Sequence, residues 1–208
     1  MQDVLRLRAD EVAEAAEVVV RAFERDPLFR HFFPGTDRRY LRQLRAAFRM
    51  LFGANLQRGQ PLFGIRVQGK LVGAVALEKP GRPMSWGDCL RSPRLLRQLV
   101  GFGLVAGPRA MARVDRWDRG VRTLRPSEPH FYVLGLGVLP EFQGKGHGRA
   151  LMQRLHQEAE AHGEAVGVGL DTDTEGNVSF YRHLGYEVTG AVDIGGFEMH
   201  CMFRRTSR

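Results

Sequence analysis

The sequence predicts an α/β fold: a single domain in which a mixed, twisted β-sheet is flanked by helices. Three observations carry that prediction. Short apolar, partly β-branched runs bounded by turn residues alternate with stretches whose apolar residues recur every three or four positions, so the period switches repeatedly between strand and helix. The clearest strand, Phe131–Val138, is halted by Pro140 and followed by a glycine-rich turn and a helical stretch, Arg149–Gly163. Finally, 208 residues with 43% hydrophobic content can bury a substantial core, and no polar linker, low-complexity tract or internal repeat divides them.

Taken in order, Leu5–Ala9 fits a first strand and Val12–Phe23 an amphipathic helix. Phe63–Val67 and Leu71–Leu77 form a hairpin turning at Gln68-Gly69-Lys70. Across Met84–Arg125, Leu95, Leu99, Phe102, Met111 and Val114 keep roughly helical spacing, punctuated by Pro93 and Pro108. Two helices follow, Pro93–Val105 and Pro108–Arg119, each with proline in its first turn, where the missing N–H costs nothing. After Phe131–Val138 and its helix come a short strand, Gly167–Thr172, a helix containing Asn177–Arg182, a strand entered at Tyr186-Glu187-Val188, and a closing strand, Phe197–Arg204.

Composition narrows the function. A net charge of +8 and an arginine-crowded Arg91–Arg125 invite a nucleic-acid partner. Yet only Lys70, Lys79 and Lys145 interrupt an otherwise all-arginine set of 31 basic residues, which points to a chain-wide bias, and no reading motif or aromatic stacking platform accompanies the charge. No specific nucleic-acid partner is expected. No apolar span is long enough to cross a membrane and no signal sequence precedes the first strand, so a cytoplasmic protein without a membrane partner, monomer or homodimer, is expected. Cys89 and Cys201 are far apart and lack metal spacing, which predicts reduced thiols and no metal site. His147, His156, His162 and His183 are expected on the surface.

The chemistry concentrates at Val138–Gly148. Gly144, Gly146 and Gly148 let the backbone take positive φ and come close to a ligand, and the helix that follows offers unpaired amides to an anion. No Gly-Lys-Ser/Thr of a P-loop follows, and the dinucleotide-binding spacing is absent. What the pattern Gln143-x-x-Gly146-x-Gly148 resembles is the acetyl-CoA signature of the GCN5-related N-acetyltransferase (GNAT) family. A second segment, Asn177-Val178-Ser179-Phe180-Tyr181-Arg182-His183-Leu184-Gly185-Tyr186, is similar to that family's Asn-x-x-x-x-Tyr-x-x-x-Gly-Phe/Tyr run. With Ser127–Phe131 and Cys201–Arg205, about eighty residues look like the puromycin N-acetyltransferase type of member. The resemblance implies a GNAT domain spanning the chain, with its acetyl-CoA-binding core at about 128–205. It implies acetyl-CoA as donor and a small-molecule amine as acceptor. The cofactor contacts it implies are Leu136, Gly137, Val138, Gln143, Gly144, Lys145, Gly146, His147, Gly148, Asn177 and Tyr181, with the two helices after Pro93 lying over the acceptor pocket. Acetylation of a protein N-terminus or lysine, and non-catalytic acyl-CoA binding, are the alternatives.

Direct transfer needs three tasks done: deprotonating the amine, stabilising the oxyanion and protonating sulfur. Tyr181 matches the family's tyrosine and is the expected acid, since a phenol with a pKa of about 10 stays protonated at neutral pH. Packing of its ring against the sheet is the bland alternative. Asn177 is expected on the pantetheine arm, or else as a helix N-cap. For the base, Glu128, His130, Tyr132 and Asp171 lie on or beside the strands flanking the expected acetyl position, with Glu128 and His130 foremost; Asp171 stands where puromycin-type enzymes carry a glutamate.

Overall fold

The computed structural model describes residues 3–81 and 92–206, and among these seven strands form one sheet. The strands are β1 (Val4–Arg6), β2 (Leu62–Val67), β3 (Lys70–Glu78), β4 (Phe131–Val138), β5 (Gly167–Thr172), β6 (Glu187–Asp193) and β7 (Glu198–Arg205), in the order β1-β2-β3-β4-β5-β7-β6. The helices are α1 (Val12–Ala22), α2 (Pro27–Phe32), α3 (Asp37–Gln57), α4 (Pro93–Ala106), α5 (Pro108–Arg122), α6 (His147–Glu160) and α7 (Glu175–Arg182). Neighbouring strands run antiparallel except β4 and β5, which are parallel. The predicted mixed α/β architecture is present, and Cys89 lies outside the described residues.

The β2–β3 hairpin closes through Gln68 and Gly69 at φ 50° and 80°, the two consecutive left-handed residues of a tight turn whose twist matches that of the strands. The first strand is shorter than its sequence suggests, because Ala9–Glu11 already form a 3₁₀ turn leading into α1. Sequence reasoning assigned no element to α2 or to the 21 residues of α3. Yet Tyr40, Leu44, Phe48 and Phe52 recur every four residues along α3, and all four are buried. The apolar stripe is interrupted on its other faces by Arg38, Arg39, Arg42, Arg45 and Arg49, which hide it in a composition average.

Opposite faces of the sheet carry different helices. Ala74 pairs with Gly137, and a Cβ on Gly137 would lie 3.0 Å from the Cα of Val19, so the glycine admits α1 directly onto β4. The adjacent pair, Gly73 and Val138, points the other way, towards Leu151 of α6. One contiguous core runs through both layers, from Val19, Phe48 and Phe52 through Val75 and Leu77 to Leu151 and Leu155.

Candidate active site

The sheet opens between β4 and β5. These strands pair only at Phe131↔Val168 and Tyr132↔Gly169, whereas β4 stays bonded to β3 as far as Val138↔Gly73. A register shift opposite Ala76/Leu77 leaves Leu134 as the extra residue of a bulge, which bends β4 where the strands part. Leu136, Gly137 and Val138 therefore lie beyond the last β5 contact and line the cleft.

The glycine-rich turn continues from that strand end. A 3₁₀ turn over Pro140–Phe142 leads to Gly144 and Gly146 at φ 73° and 84°, and a Cβ on either would meet nothing within 4 Å. Gly146 is the N-cap of α6 and, having no side chain, makes no cap bond of its own. A helix N-terminus, left-handed glycines and open space together fit the phosphates of a coenzyme A moiety. Gly148 corrects the sequence reading in part: it lies inside the first turn of α6 without positive φ, and a Cβ there would make ordinary contact with Phe180 at 3.6 Å. Gln143 donates to the Val138 carbonyl at 3.0 Å, latching the turn onto the strand. Lys145 donates to the Glu141 carbonyl and does not line the cleft, whereas Gln143, Gly144, Gly146, His147 and Gly148 do.

Across the opening, Thr174 caps α7 by accepting from the Asn177 amide, so Asn177 sits inside the helix and is not its cap. Asn177 and Tyr181 both face the cleft. Tyr181 is only 9% exposed and edge-packed on Tyr186, and burial, with the charge of Asp171 second, pushes its phenol pKa up. Two of the histidines expected on the surface are instead buried: His147 beneath the turn beside Phe142, and His156 against the Tyr186 hydroxyl at 3.1 Å, where burial lowers its pKa to about 4.

The cleft continues as a cavity to the Tyr132 end of β4, the whole enclosing about 1030 Å³. Its apolar wall comes from Phe23, Phe29, Phe48, Leu51, Leu99 and Phe102, that is, from the α1–α2 corner, α3 and α4, while α5 adds Met111, Val114 and Trp117. Its deep end is polar. Tyr132 donates to Asp171 at 2.5 Å, and the Arg125 guanidinium lies 3.4 Å above the Tyr132 ring. Glu78 stands 3.6 Å from Arg58 and 3.7 Å from Arg125 in a buried ion-pair cluster. Asp171 keeps some accessible surface because it lines the cavity, but dense packing around it raises its pKa, against the opposing effect of the Tyr132 hydrogen bond. The Trp117 indole N–H lies towards the same carboxylate without completing a hydrogen bond.

Four further carboxylates line the cavity, Asp26, Asp115, Asp118 and Asp173, and sequence reasoning singled out none of them. Asp26 caps α2 by accepting from the Phe29 amide at 3.0 Å; burial first, and the charge of Asp173 among the lesser causes, push its pKa up to about 6. Asp173 follows β5 directly and is also raised by burial. Asp26-Pro27 carries an ordinary helix-start signal, which gave no reason to look for a site there.

Of the four expected bases, Tyr132 and Asp171 are brought together in the cavity; Glu128 and His130 are not among its lining residues. Glu128 is a surface residue 3.7 Å from Arg205. His130 Nδ1 bonds the Glu128 carbonyl at 2.7 Å, and its ring packs on Phe203. Both precede β4, on the side of the Phe131–Val168 pairing away from the opening.

Comparison with known proteins agrees with this geometry. Residues 22–186 match the model of the Acetyltransferase (GNAT) family. Among solved structures, the chain superposes on a histone acetyltransferase HPA2 and related acetyltransferase from Corynebacterium glutamicum with a TM-score of 0.70 at 22% identity, covering 100% of this chain and 98% of that one. It matches an agmatine N-acetyltransferase with a TM-score of 0.62 at 18% identity, covering 98% of each chain. It also matches the ribosomal-protein-S18-alanine N-acetyltransferase from Escherichia coli with a TM-score of 0.57 at 15% identity, covering 100% and 96%. The chain belongs to the acetyltransferase (GNAT) family, N-acetyltransferases whose acetyl donor is acetyl-CoA.

Proposed function

We propose that this GNAT enzyme acetylates the amine of a small molecule by direct attack within a ternary complex. The observation that carries the reading is the cavity, continuous with the glycine turn and walled by α3, α4 and α5, which suits a compact acceptor better than an extended peptide. The likeness of the second half to puromycin-type members supports the same choice. Acetyl-CoA supplies the acetyl group as an activated thioester.

The chain's own residues then divide the remaining work. The backbone amides of Gly144–Gly148 hold phosphate, while the groups of Leu136–Val138 left unpaired by β5, with Asn177, orient the pantetheine arm. Tyr181 keeps its proton because burial disfavours the phenolate, and the same surroundings raise the proton affinity of a departing thiolate, so the hydroxyl donates where charge builds on sulfur. Asp171 takes the acceptor's proton: Tyr132 occupies its Oδ1 and fixes its orientation, and burial raises its proton affinity. The apolar wall keeps water from competing with the amine. Radiolabelled acetyl transfer to a panel of small amines, histone-tail peptides and alanine-first peptides tests the reading. Turnover is expected on small amines. Preferential labelling of peptides would replace it with protein acetylation, and tight acetyl-CoA binding without transfer to anything would make the chain a sensor.

A further inference from the structure

Asp171 is reached by a cation that does not bond it. Glu78, Tyr132 and Gly169 stand side by side across β3, β4 and β5, so the Tyr132 side chain leaves the sheet between an acid and a bare backbone. A Cβ on Gly169 would lie 3.0 Å from Tyr132 Cδ2 and 3.3 Å from Cε2, closer than ordinary packing allows. The glycine therefore lets the ring lean across β5. Its hydroxyl arrives at Asp171, which shares the face of Gly169 along that strand.

Arg125, just after α5, covers the ring. Its guanidinium carbon sits 3.4 Å from the ring centroid, at van der Waals contact. The side chain is only 13% exposed, its contact with Glu78 is 3.7 Å, and its buried Nε has no hydrogen-bond partner among the described residues. Burying a guanidinium so weakly bonded costs stability, so stability alone gives no reason to keep it there. What the position offers is an effect on Asp171. A cation over the ring draws electron density from the phenol and makes its hydroxyl a stronger donor. Burial, then the charge of Asp171, holds the Tyr132 phenol well above its ordinary pKa, so the hydroxyl keeps its proton and donates it to the carboxylate. The other groups facing Asp171 are Trp117 and Asp118 of α5, Tyr181 of α7 and Cys201 of β7. Glu78 and Arg122 stand one step further off, beside Arg125 and Tyr132, and the cation that acts on the carboxylate is Arg125.

We propose that Arg125 is a positioning residue for acetyl transfer: it holds the Tyr132 ring from its face while the ring edge rests on Gly169, which keeps the hydroxyl on Asp171 and the carboxylate ionised, ready for the acceptor's proton. The proposal deepens the reading of Asp171 as the base and rests on it.

Two titrations test it together: that of Asp171 itself, followed by NMR of aspartate labelled with ¹³C at Cγ and assigned with Asp171→Asn, and that of kcat/KM with phenethylamine as acceptor. Arg125→Gln removes the charge and keeps a polar side chain. It is expected to move the Asp171 titration and the acid limb of kcat/KM upward together by about one pH unit, so that the rate on the acid side falls roughly tenfold and the alkaline plateau changes less. Arg125→Lys, which restores the charge, is expected to recover most of that shift. Gly169→Ala keeps every charge but sets a Cβ against the ring; it is expected to raise the Asp171 titration as the hydroxyl is displaced, and it carries the test if Arg125→Gln does not fold. An Asp171 titration unmoved in the folded variants, even with a lowered plateau, would leave Arg125 a structural cation and overturn the proposal, as would a shift that Arg125→Lys does not reduce. If the titration stays put while Asp171→Asn abolishes turnover, the proposal falls and the base stands. If the titration moves but the acid limb does not, and Asp171→Asn remains active, the base assignment falls and takes the proposal with it.

Discussion

The two halves of the cleft are built on different principles. On the donor side, from β4 through the glycine turn to α7, the chain offers mainly backbone: amides at the start of α6, strand groups released by the parting of β4 from β5, and two left-handed glycines. On the acceptor side, from the α1–α2 corner through α3 to α5, it offers side chains drawn from elements up to about a hundred residues apart. A common donor can be gripped by a fixed backbone shape, while acceptors that vary need surfaces that can be changed one side chain at a time.

That division predicts where substitutions do most harm. The largest effect is expected at Tyr181, where Tyr181→Phe preserves the ring contact with Tyr186 and should lower kcat about 10²- to 10⁴-fold, with coenzyme A affinity intact. If steady-state turnover falls less, single-turnover rates decide: equality with wild type there would leave Tyr181 a purely packing residue.

Next comes the backbone shape itself. At φ 84°, Gly146→Val forces a β-branched residue into the left-handed region and sets a Cβ in the open space proposed for phosphate. Losing two charge-assisted hydrogen bonds implies a drop in acetyl-CoA affinity of roughly a hundredfold or more, measured by calorimetry on folded protein. Gly148→Val should be milder, since that residue is helical and its Cβ meets Phe180 at an ordinary distance. Equal losses at the two positions would show that the turn acts through something other than left-handed geometry.

The donor side was legible in the sequence for the same reason that it is sensitive. The proposed donor contacts leave a contiguous trace, so Gln143, Gly144, Gly146, Asn177 and Tyr181, all of which line the cleft, could be picked out without knowing the fold, although Lys145 turned out to bond its own turn. The acceptor side leaves no such trace. Asp26 carries the signature of a helix cap, which it also is, and Glu78 ends a strand that gives no sign of the guanidinium groups beside it. The four-residue spacing of Tyr40, Leu44, Phe48 and Phe52 could have revealed α3, but only folding aligns Phe48 with Gly135, where a Cβ would stand 3.3 Å from the ring. Glu128 and His130 were near the right strand in sequence and at the wrong end of it in space.

A subtler effect concerns His156, which anchors α6 against Tyr186. Its folded pKa of about 4 lies below the ordinary histidine value of 6.5, so the unfolded chain binds the extra proton first. Its contribution to stability is complete above about pH 6.5 and is lost as the pH falls towards 4. Thermal melts from pH 7 to 4 should show His156→Gln losing less over that interval than wild type, and parallel curves would assign the acid sensitivity to other groups. The smallest effect is expected at Glu128→Gln and His130→Ala, whose kcat/KM should stay within about twofold of wild type because neither side chain lines the cavity. A tenfold loss in either would return the base to the start of β4.

The parting of β4 from β5 also gives the enzyme a built-in reporter. Residues along a strand direct their N–H groups alternately to its two sides, so between Leu134 and Val138 one set is tied into β3 and the other faces the cleft. In the free protein the first set should exchange with deuterium slowly and the second quickly. Adding acetyl-CoA should slow only the second. Neighbouring amides a few ångströms apart would then supply signal and internal standard in one peptide, and occupancy of the donor site could be followed on the unlabelled enzyme with no turnover at all.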